Sequence, residues 1–594
     1  MTTRSTRSPR RRTVVALAVV LAVLAGFIVR LVDIQIVNAD DHIADSMQVA
    51  LGASRTLYGT RGEIVDESGQ TLAGSILLYD GVLDPKNVGP LTRADEDGTR
   101  VVTPWKDVAA EIGAITGQTP DEVQKIVADA LADNADSQFA YLKRGLTTQQ
   151  YRALVDIGAP YLTFDAHPAR TYPDGAVAGN LVGFMGVDGE ALAGIEKSQN
   201  DCLLATDGTL SFQKGKDGVV IPGTEIQQPA VNGGTLQLTI NRDLQWYLQQ
   251  LIGEQVQDMA AKRGTITVVE VKTGKIRAAA EFPSVDPNNI DASEQTDRNS
   301  HIFLDTFEPG STFKALTGSI VLDAGGQDLN STVQASSREQ FPNGATVRDA
   351  FQHDLYDYTL AGVLIDSSNA GISKFSEKVT PQTRFDYLQR FGIGTGSAVG
   401  FEGESKGLLY PPDQWDNQQV YNTSFGQGLT TTVPELMGAY DAVANGGTKM
   451  PLSIVESCTK ADGTVVTPDL PAPTQVISAQ TSAQMREILE NVAMQASYAK
   501  QIEVPGYRLA TKTGTGEKSD GNGGYKAGVY YTTMIGFAPA DDPQYLVAVT
   551  LDEPTTVTSS SANAPAFQKA MTQVLKTYRV MPATTAPTVL PKFG

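Results

Sequence analysis

A mixed α/β protein of the α+β kind, with more than one domain behind a single membrane-crossing helix, is what this sequence predicts. Three observations carry the expectation. The 594 residues exceed the roughly 250–300 that one hydrophobic core sustains. Strand-like and helix-like stretches interleave from about residue 61 to about residue 580, with no internal repeat. A charge-free apolar run lies near the start, preceded by arginines alone among charged residues. The composition, 41% hydrophobic and 19% charged, is that of a globular chain rather than a disordered one.

Arg4, Arg7, Arg10, Arg11 and Arg12 make residues 1–12 a basic cytoplasmic tail ahead of TVVALAVVLAVLAGFIV at 13–29. That run is at the short end of what spans a bilayer as a helix, and positive residues on its near side send the remainder outward. No small-x-small cleavage site follows, and the apolar character continues into RLVDIQIV (30–37). Residues 13–33 therefore read as a retained transmembrane anchor rather than a cleaved signal peptide. Residues 34–225 read as an extended mixed pedestal. In it RGEIVDESGQTLA (61–73) alternates around a Ser-Gly turn as a hairpin does. WKDVAAEIGAI (105–115) and PDEVQKIVADAL (120–131) have helical periodicity, with Asp121 and Glu122 placed to suit the dipole. A second domain, 226–580, opens with GTLQLTINRDLQWYLQQLI (234–252), a strand running into an amphipathic helix, and holds strands such as GTITVVEV (264–271) and YLVAVTL (545–551). Pro- and Thr-rich ATTAPTVLPKFG (583–594) is expected to be loose, a flexible tail over 581–594.

The net charge of −20 with no basic stripe in the body excludes nucleic acid as a partner. Cys202 and Cys458 are the only cysteines, which suits an exported chain that does not depend on disulfides; one bridge or two buried thiols both remain open. His42, His167, His301 and His353 are scattered without ligand spacing, so neither a metal nor another cofactor is expected.

Lys-Thr-Gly occurs twice, in VEVKTGKIRA (269–278) and RLATKTGTGE (508–517). It is the last part of a signature, Ser-x-x-Lys, Ser-x-Asn, Lys-Thr-Gly, of serine acyl-transfer enzymes that act on penicillin and D-alanyl peptides. Each part alone is common: Ser-x-x-Lys starts at Ser211, Ser311, Ser457 and Ser497, and Ser-x-Asn at Ser198, Ser367 and Ser561. Chain order removes most combinations. No Ser-x-Asn separates Ser211 from the first Lys-Thr-Gly, so Lys272-Thr273-Gly274 reads as a hairpin turn. Before Lys512 only Ser367-Ser368-Asn369 can be the middle part, with Ser211 or Ser311 ahead of it.

Ser211 lies among the glycines of TDGTLSFQKGKDG, where a helix cannot run. Ser311 follows Pro309-Gly310 and opens the apolar stretch of EPGSTFKALTGSIVLDA, so Ser311 and Lys314 share one helix face. The chemistry requires this, because a hydroxyl of high pKa needs a base within hydrogen-bond reach. Burial and the positive end of the helix both favour a neutral lysine. Ser367 is expected at the loop end of a second helix, relaying a proton to the leaving amine, with Asn369 holding the substrate's amide. RLATKTGT reads as an edge strand on which Gly514 lets a peptide lie as one more strand. Lys512, Thr513 and Thr515 would bind a terminal carboxylate, and the backbone N–H groups of Ser311 and Thr515 would form an oxyanion hole.

With these elements in place the chain resembles class B penicillin-binding proteins, the membrane-anchored D,D-transpeptidases that cross-link peptidoglycan. ARTYPDGAVAGNLVGFMG (169–186), LAGIEKSQND (192–201), FEPGSTFK (307–314) and NTSFGQGLTTTVPELMGAYDAVANGG (422–447) look like family landmarks, as does the hairpin at 61–73. The resemblance implies a penicillin-recognising domain, an antiparallel sheet flanked by helices, on an extended pedestal. It implies Ser311, Lys314, Ser367 and Asn369 as catalytic residues and Lys512 to Thr515 as substrate-binding ones. Stem peptides and β-lactams are the implied ligands, at a single-pass cell-membrane location with the catalytic domain outside. RLVDIQIVNAD (30–40) and SFGQG look most like the division-specific branch, paired in that family with a polytopic glycosyltransferase and other division proteins; the elongation branch is the rival. Residues 76–165 match no landmark. A D-alanyl hydrolase and a β-lactam-binding sensor are the remaining alternatives. A β-lactamase needs neither pedestal nor anchor, and twelve cytoplasmic residues leave no room for a signalling domain.

Overall fold

The computed structural model describes residues 9–32, 52–94, 99–186, 188–214, 220–221 and 223–594. Arg4 and Arg7 of the basic tail, residues 33–40 of the stretch after the apolar run, and the first part of the pedestal lie outside the described residues. Pro9–Val32 is one helix, and the 19 residues Val14–Val32 are long and apolar enough to cross a membrane. A helix satisfies all its backbone groups internally, which is what hydrocarbon demands.

The chain divides into two compact units. The smaller, which includes Ala205–Asn232, contains an antiparallel sheet in which Gly208–Gln213 runs between Gly52–Leu57 and Ile226–Gln228. Ser211 faces Ser54 and Ile226 across this ladder. Lys214 Nζ sits 5.6 Å over the Phe212 ring, and in extended chain residues three apart point to opposite faces. Ser211 and Lys214 are therefore not brought together.

The larger unit, Arg61–Leu204 with Gly233–Gly594, begins with the expected hairpin, Ile64–Val65 against Thr71–Leu83. Asp66 Oδ1 accepts from the Ser68 and Gln70 amides at 2.8 Å and closes its turn. Three landmarks meet here. Glu196, fully buried, holds Arg61 Nε at 2.8 Å and Arg170 Nε at 2.6 Å, so RGEIV, ART and GIEKS share one buried ionic knot. Thr71–Leu83 continues into a sheet with Ala140–Leu146 and Leu162–Thr171. Helices Trp105–Thr116, Pro120–Asp133 and Thr148–Asp156 cover it, with Val108, Ile112, Val123, Leu142, Leu146 and Leu154 inside. A capping box between Thr119 and Glu122 starts the second of these helices.

The catalytic part is built on helix α1, Arg242–Asp258, and five antiparallel strands: β1, Arg263–Glu270; β2, Ile276–Phe282; β3, Ala510–Ser519; β4, Tyr525–Ala538; and β5, Tyr545–Asp552. Their order is β2-β1-β5-β4-β3. Every residue of central β5 is buried, Thr550 and Asp552 included, so both faces of the sheet are covered there, which explains the apolar run Tyr545–Val549. Four further helices matter for the site: α2, Lys314–Ala324; α3, Leu360–Ile365; α4, Asn369–Ser376; and α5, Ala479–Gln495. A last helix, α6, Ala564–Thr577, packs with α1 against the sheet. The first Lys-Thr-Gly is the β1–β2 turn: the Gly274 amide donates to Glu270 O at 2.9 Å, Gly274 has φ +72°, and Lys272 is exposed.

Two features were not legible beforehand. Cys202 and Cys458 form a disulfide, Cα atoms 6.1 Å apart and 256 residues apart in sequence, so the chain does carry the bridge that an exported protein can keep. Closing so long a loop restricts the unfolded chain. Replacing both cysteines by alanine is expected to lower unfolding stability by about 2–5 kcal/mol, and reductant should shift the wild-type melting curve by a comparable amount. A curve unaffected by either treatment would contradict this. Residues 583–594, expected to be a flexible tail, are instead docked: Asn491 Nδ2 donates to Thr588 O, Gln495 Nε2 to Leu590 O and Thr359 N to Lys592 O, each at 2.9–3.0 Å. The Pro- and Thr-rich composition suggested looseness, but backbone carbonyls in an irregular segment can be satisfied by distant side chains.

Candidate active site

Ser311 lies in a single 3₁₀ turn, Gly310–Phe313, that leads into α2. In 3₁₀ geometry side chains at i and i+3 eclipse, so half-buried Ser311 and fully buried Lys314 stand on one side of the chain. The turn is wedged in by glycines. Gly310 has φ +55°, and a Cβ on it would fall 2.5 Å from Thr515 O. A Cβ on Gly426, within SFGQG, would fall 2.3 Å from Gly310 O, and the Gly310 amide donates to Gly426 O at 3.0 Å. Buried Tyr440 holds the turn from below, its hydroxyl donating to Thr312 O at 2.6 Å.

Ser367 occupies the link between α3 and α4, just past the carboxyl end of α3, with φ +57°. That left-handed conformation is costly for a residue with a Cβ and persists where surroundings over-determine it. Ser368 caps α4, its Oγ accepting from the Gly371 amide at 2.8 Å and donating to Asp349 Oδ2 at 2.6 Å. Asp349 also accepts from the Ala370 amide at 2.9 Å and bonds His353 Nε2 at 2.8 Å. Asn369 Nδ2 donates to Arg348 O at 2.9 Å.

Two lysines converge on Ser367. Lys314 Nζ donates to its carbonyl oxygen at 2.5 Å and lies 3.2 Å from its hydroxyl; Lys512 Nζ donates to the same hydroxyl at 3.0 Å. Burial pushes Lys314 well below the ordinary lysine range, neighbouring Lys512 pushes it further, and Asp349 pulls it back. Burial brings Lys512 down to about 7. A neutral amine hydrogen-bonded to a hydroxyl can take and return a proton, so the pair and Ser367 form a short proton path.

Strand β3 is the edge of its sheet, as expected. Successive side chains alternate faces: Lys512 turns toward Ser367, whereas Thr513 and Thr511 sit beside Tyr498. Thr513's side chain is thus not brought to the face of Lys512. Gly514 also differs from expectation. A Cβ there would meet Pro309 O at 2.4 Å and Thr312 N at 3.1 Å, and one on Gly516 would meet Glu308 O at 2.0 Å. These glycines make room for the Ser311 turn itself. Asp349 escaped sequence reading, and Gly426 and Tyr440 stood inside the landmark at 422–447 with no role assigned, since a buried acid, a cradle glycine and a supporting hydroxyl carry no local signature.

Residues 264–572 match the model of the penicillin binding protein transpeptidase domain, and residues 56–238 that of the penicillin-binding protein dimerisation domain. The chain is similar to penicillin-binding protein PbpB of Mycolicibacterium smegmatis, 33% identical over 586 residues, 94% of this chain and 89% of that protein. Peptidoglycan D,D-transpeptidase FtsI of Escherichia coli K12 is 28% identical over 567 residues, 95% of this chain and 91% of that one. Among solved structures, penicillin binding protein 3 of Mycobacterium tuberculosis complexed with aztreonam superposes with a TM-score of 0.68 at 27% identity, covering 90% of this chain and 99% of that one. A transpeptidase domain behind a dimerisation domain, near-complete coverage and a site with two buried lysines on one serine together mean that the chain belongs to the class B penicillin-binding proteins.

Proposed function

We infer that this chain is a serine-type peptidoglycan D,D-transpeptidase of the division branch and a target of β-lactams. The observation that carries the mechanism is the convergence of Lys314 and Lys512, both buried, on the hydroxyl of Ser367. Ser311 Oγ attacks the carbonyl carbon of the penultimate D-alanine of a donor stem peptide, and its proton passes to neutral Lys314. The N–H groups of Ser311 and Thr515 hold the oxyanion; close contact of Gly310 with the Thr515 backbone supports this pairing. The C–N bond breaks, the leaving amine takes its proton through Ser367, and D-alanine departs from an ester on Ser311. An acceptor amine then attacks the ester, Ser367 and Lys314 accept its proton, and Ser311 is released reprotonated. Thr513 and Thr515, two residues apart and so on one face of β3, bind the donor's terminal carboxylate at the strand edge together with Lys512, and Asn369 faces the substrate amide from the start of α4.

Residues 13–33 are the retained anchor, the pedestal spans 34–225 and the transpeptidase domain 226–580. The Cys202–Cys458 bridge supports a catalytic domain outside the membrane, since disulfides persist in oxidising compartments. The partners are a polytopic glycosyltransferase and other division proteins.

Transferase and hydrolase differ in what removes the acyl group. A β-lactamase needs a group that arms water, as the additional glutamate does in class A enzymes. With an activated thioester stem-peptide mimic, turnover is expected to rise with added amino acceptor, while the penicillin adduct persists for many minutes. Adduct decay within seconds in plain buffer, with no acceleration by amine, would make the chain a hydrolase; intact-protein mass spectrometry follows both.

A further inference from the structure

Residues 588–594 run as a strap from α5 past the N-cap of α3 and back along the strand Tyr356–Thr359 that leads into it, and the Lys592 side chain alone reaches the far end of α3. Thr359, the N-cap, accepts from the Gly362 amide at 2.9 Å and donates its hydroxyl to Pro591 O at 2.7 Å, while its backbone N–H donates to Lys592 O at 3.0 Å. A Cβ on Gly362 would fall 1.9 Å from Lys592 O, so glycine there leaves room for the strap. Lys592 Nζ then reaches Asp366 Oδ1 at 2.6 Å, and Asp366 Oδ2 accepts from Tyr358 Oη at 3.3 Å. Phe593 lies 4.8 Å from the Tyr356 ring and 5.2 Å from that of Tyr358, and the Gly594 amide donates to Asp357 O at 2.9 Å.

Asp366 immediately precedes Ser367, the residue with φ +57°. Asp349 fixes the following residues through Ser368 and Ala370; Lys592 fixes the preceding one. A cation at the carboxyl end of α3 also suits that helix's dipole. Held from both sides, Ser367 keeps its hydroxyl between two lysines in a conformation that a free link would abandon.

We propose that Lys592 is a positioning residue for acyl transfer, acting through Asp366 on the Ser367 hydroxyl; this rests on the reading of Ser367 as the proton relay. The Lys592–Asp366 pair is partly exposed, whereas the strap's backbone bonds to buried Thr359 do not depend on the lysine side chain, so losing the pair lowers the rate without unfolding the chain.

The test uses the full-length membrane protein in detergent and a fluorescent penicillin, separating the dissociation constant of the first complex from the first-order acylation constant. Lys592→Ala is expected to slow acylation about tenfold, since small misplacements of reacting groups are costly, with the dissociation constant and melting temperature little changed. Lys592→Arg should restore most of the rate. In a Ser367→Ala background, Lys592→Ala should add no further loss, because the two act on one step. An unchanged rate in Lys592→Ala, a loss matched by a smaller folded fraction, or full additivity with Ser367→Ala would overturn the proposal. If Ser367→Ala itself acylates normally, the relay reading fails instead, and the strap proposal with it.

Discussion

Ser311→Ala is expected to abolish covalent labelling by penicillin, and Lys314→Met to slow it by about 10²–10⁴-fold at pH 7, the range over which a positioned base contributes. Both chains should stay folded. Ser311 is half-buried and small, and methionine keeps the volume of a fully buried lysine stem. Ser211→Ala and Lys272→Ala should label normally, because one lies in the sheet of the smaller unit and the other in an exposed turn. The base also leaves a thermodynamic mark. Lys314 sits well below its ordinary 10.5 in the folded chain and returns there on unfolding. Between those values the unfolded chain binds a proton that the folded chain does not, so wild-type stability gains with rising pH. Lys314→Met loses that gain, and its melting temperature should fall relative to wild type from pH 7 to pH 9. Normal labelling in Lys314→Met would remove the base from the mechanism, and a pH-independent difference in melting temperature would mean that Lys314 is charged when folded.

Much of this was legible in the chain because its signals are local. Alternation at 61–73 gave the hairpin, helical periodicity at 105–115 and 120–131 gave two helices, and the order of three short motifs isolated Ser367 and Lys512, with the helix-opening context of Ser311 separating it from Ser211. What escaped depends on residues far apart. Glu196 gathers Arg61 from 135 positions away, Asp349 is 19 positions from Ser368, and Lys592 lies 226 positions from Asp366. No periodicity or propensity encodes such pairs, since each partner alone is an ordinary charged residue. The cysteines illustrate the same limit: two residues allow one bridge, but only the fold brings their Cα atoms to 6.1 Å. Gly514 shows a subtler failure. A glycine in a strand marks a close approach of some other chain, and sequence cannot say whether that neighbour is a ligand or the protein's own backbone.

Gly514→Ala separates those two neighbours. If the glycine only admitted substrate, the added methyl would weaken the first complex with penicillin and leave stability alone. In the structure the methyl instead meets Pro309 O at 2.4 Å and Thr312 N at 3.1 Å, both backbone atoms of the Ser311 turn, which cannot rotate away as a side chain can. The turn is held on its other sides by Tyr440 and by the Gly310–Gly426 hydrogen bond, so relief must come from separating β3 and the turn. That movement shifts Ser311 relative to Lys512 and the Thr515 amide together. A displacement of about 1 Å at reacting groups costs on the order of 10²-fold in rate, and overpacking of a close-packed contact typically costs about 1–3 kcal/mol of stability. Gly514→Ala is therefore expected to lower the first-order acylation constant about 100-fold and to lower the melting temperature as well. Retained stability with a loss confined to the dissociation constant would restore the substrate explanation. If the structural account holds, Ser311 and Lys314, three residues apart on one turn, stay together in Gly514→Ala while both shift relative to Lys512 and the Thr515 amide on β3. Labelling should then stay slow at every pH, because nucleophile and base remain together while the oxyanion donor on β3 has moved away from them.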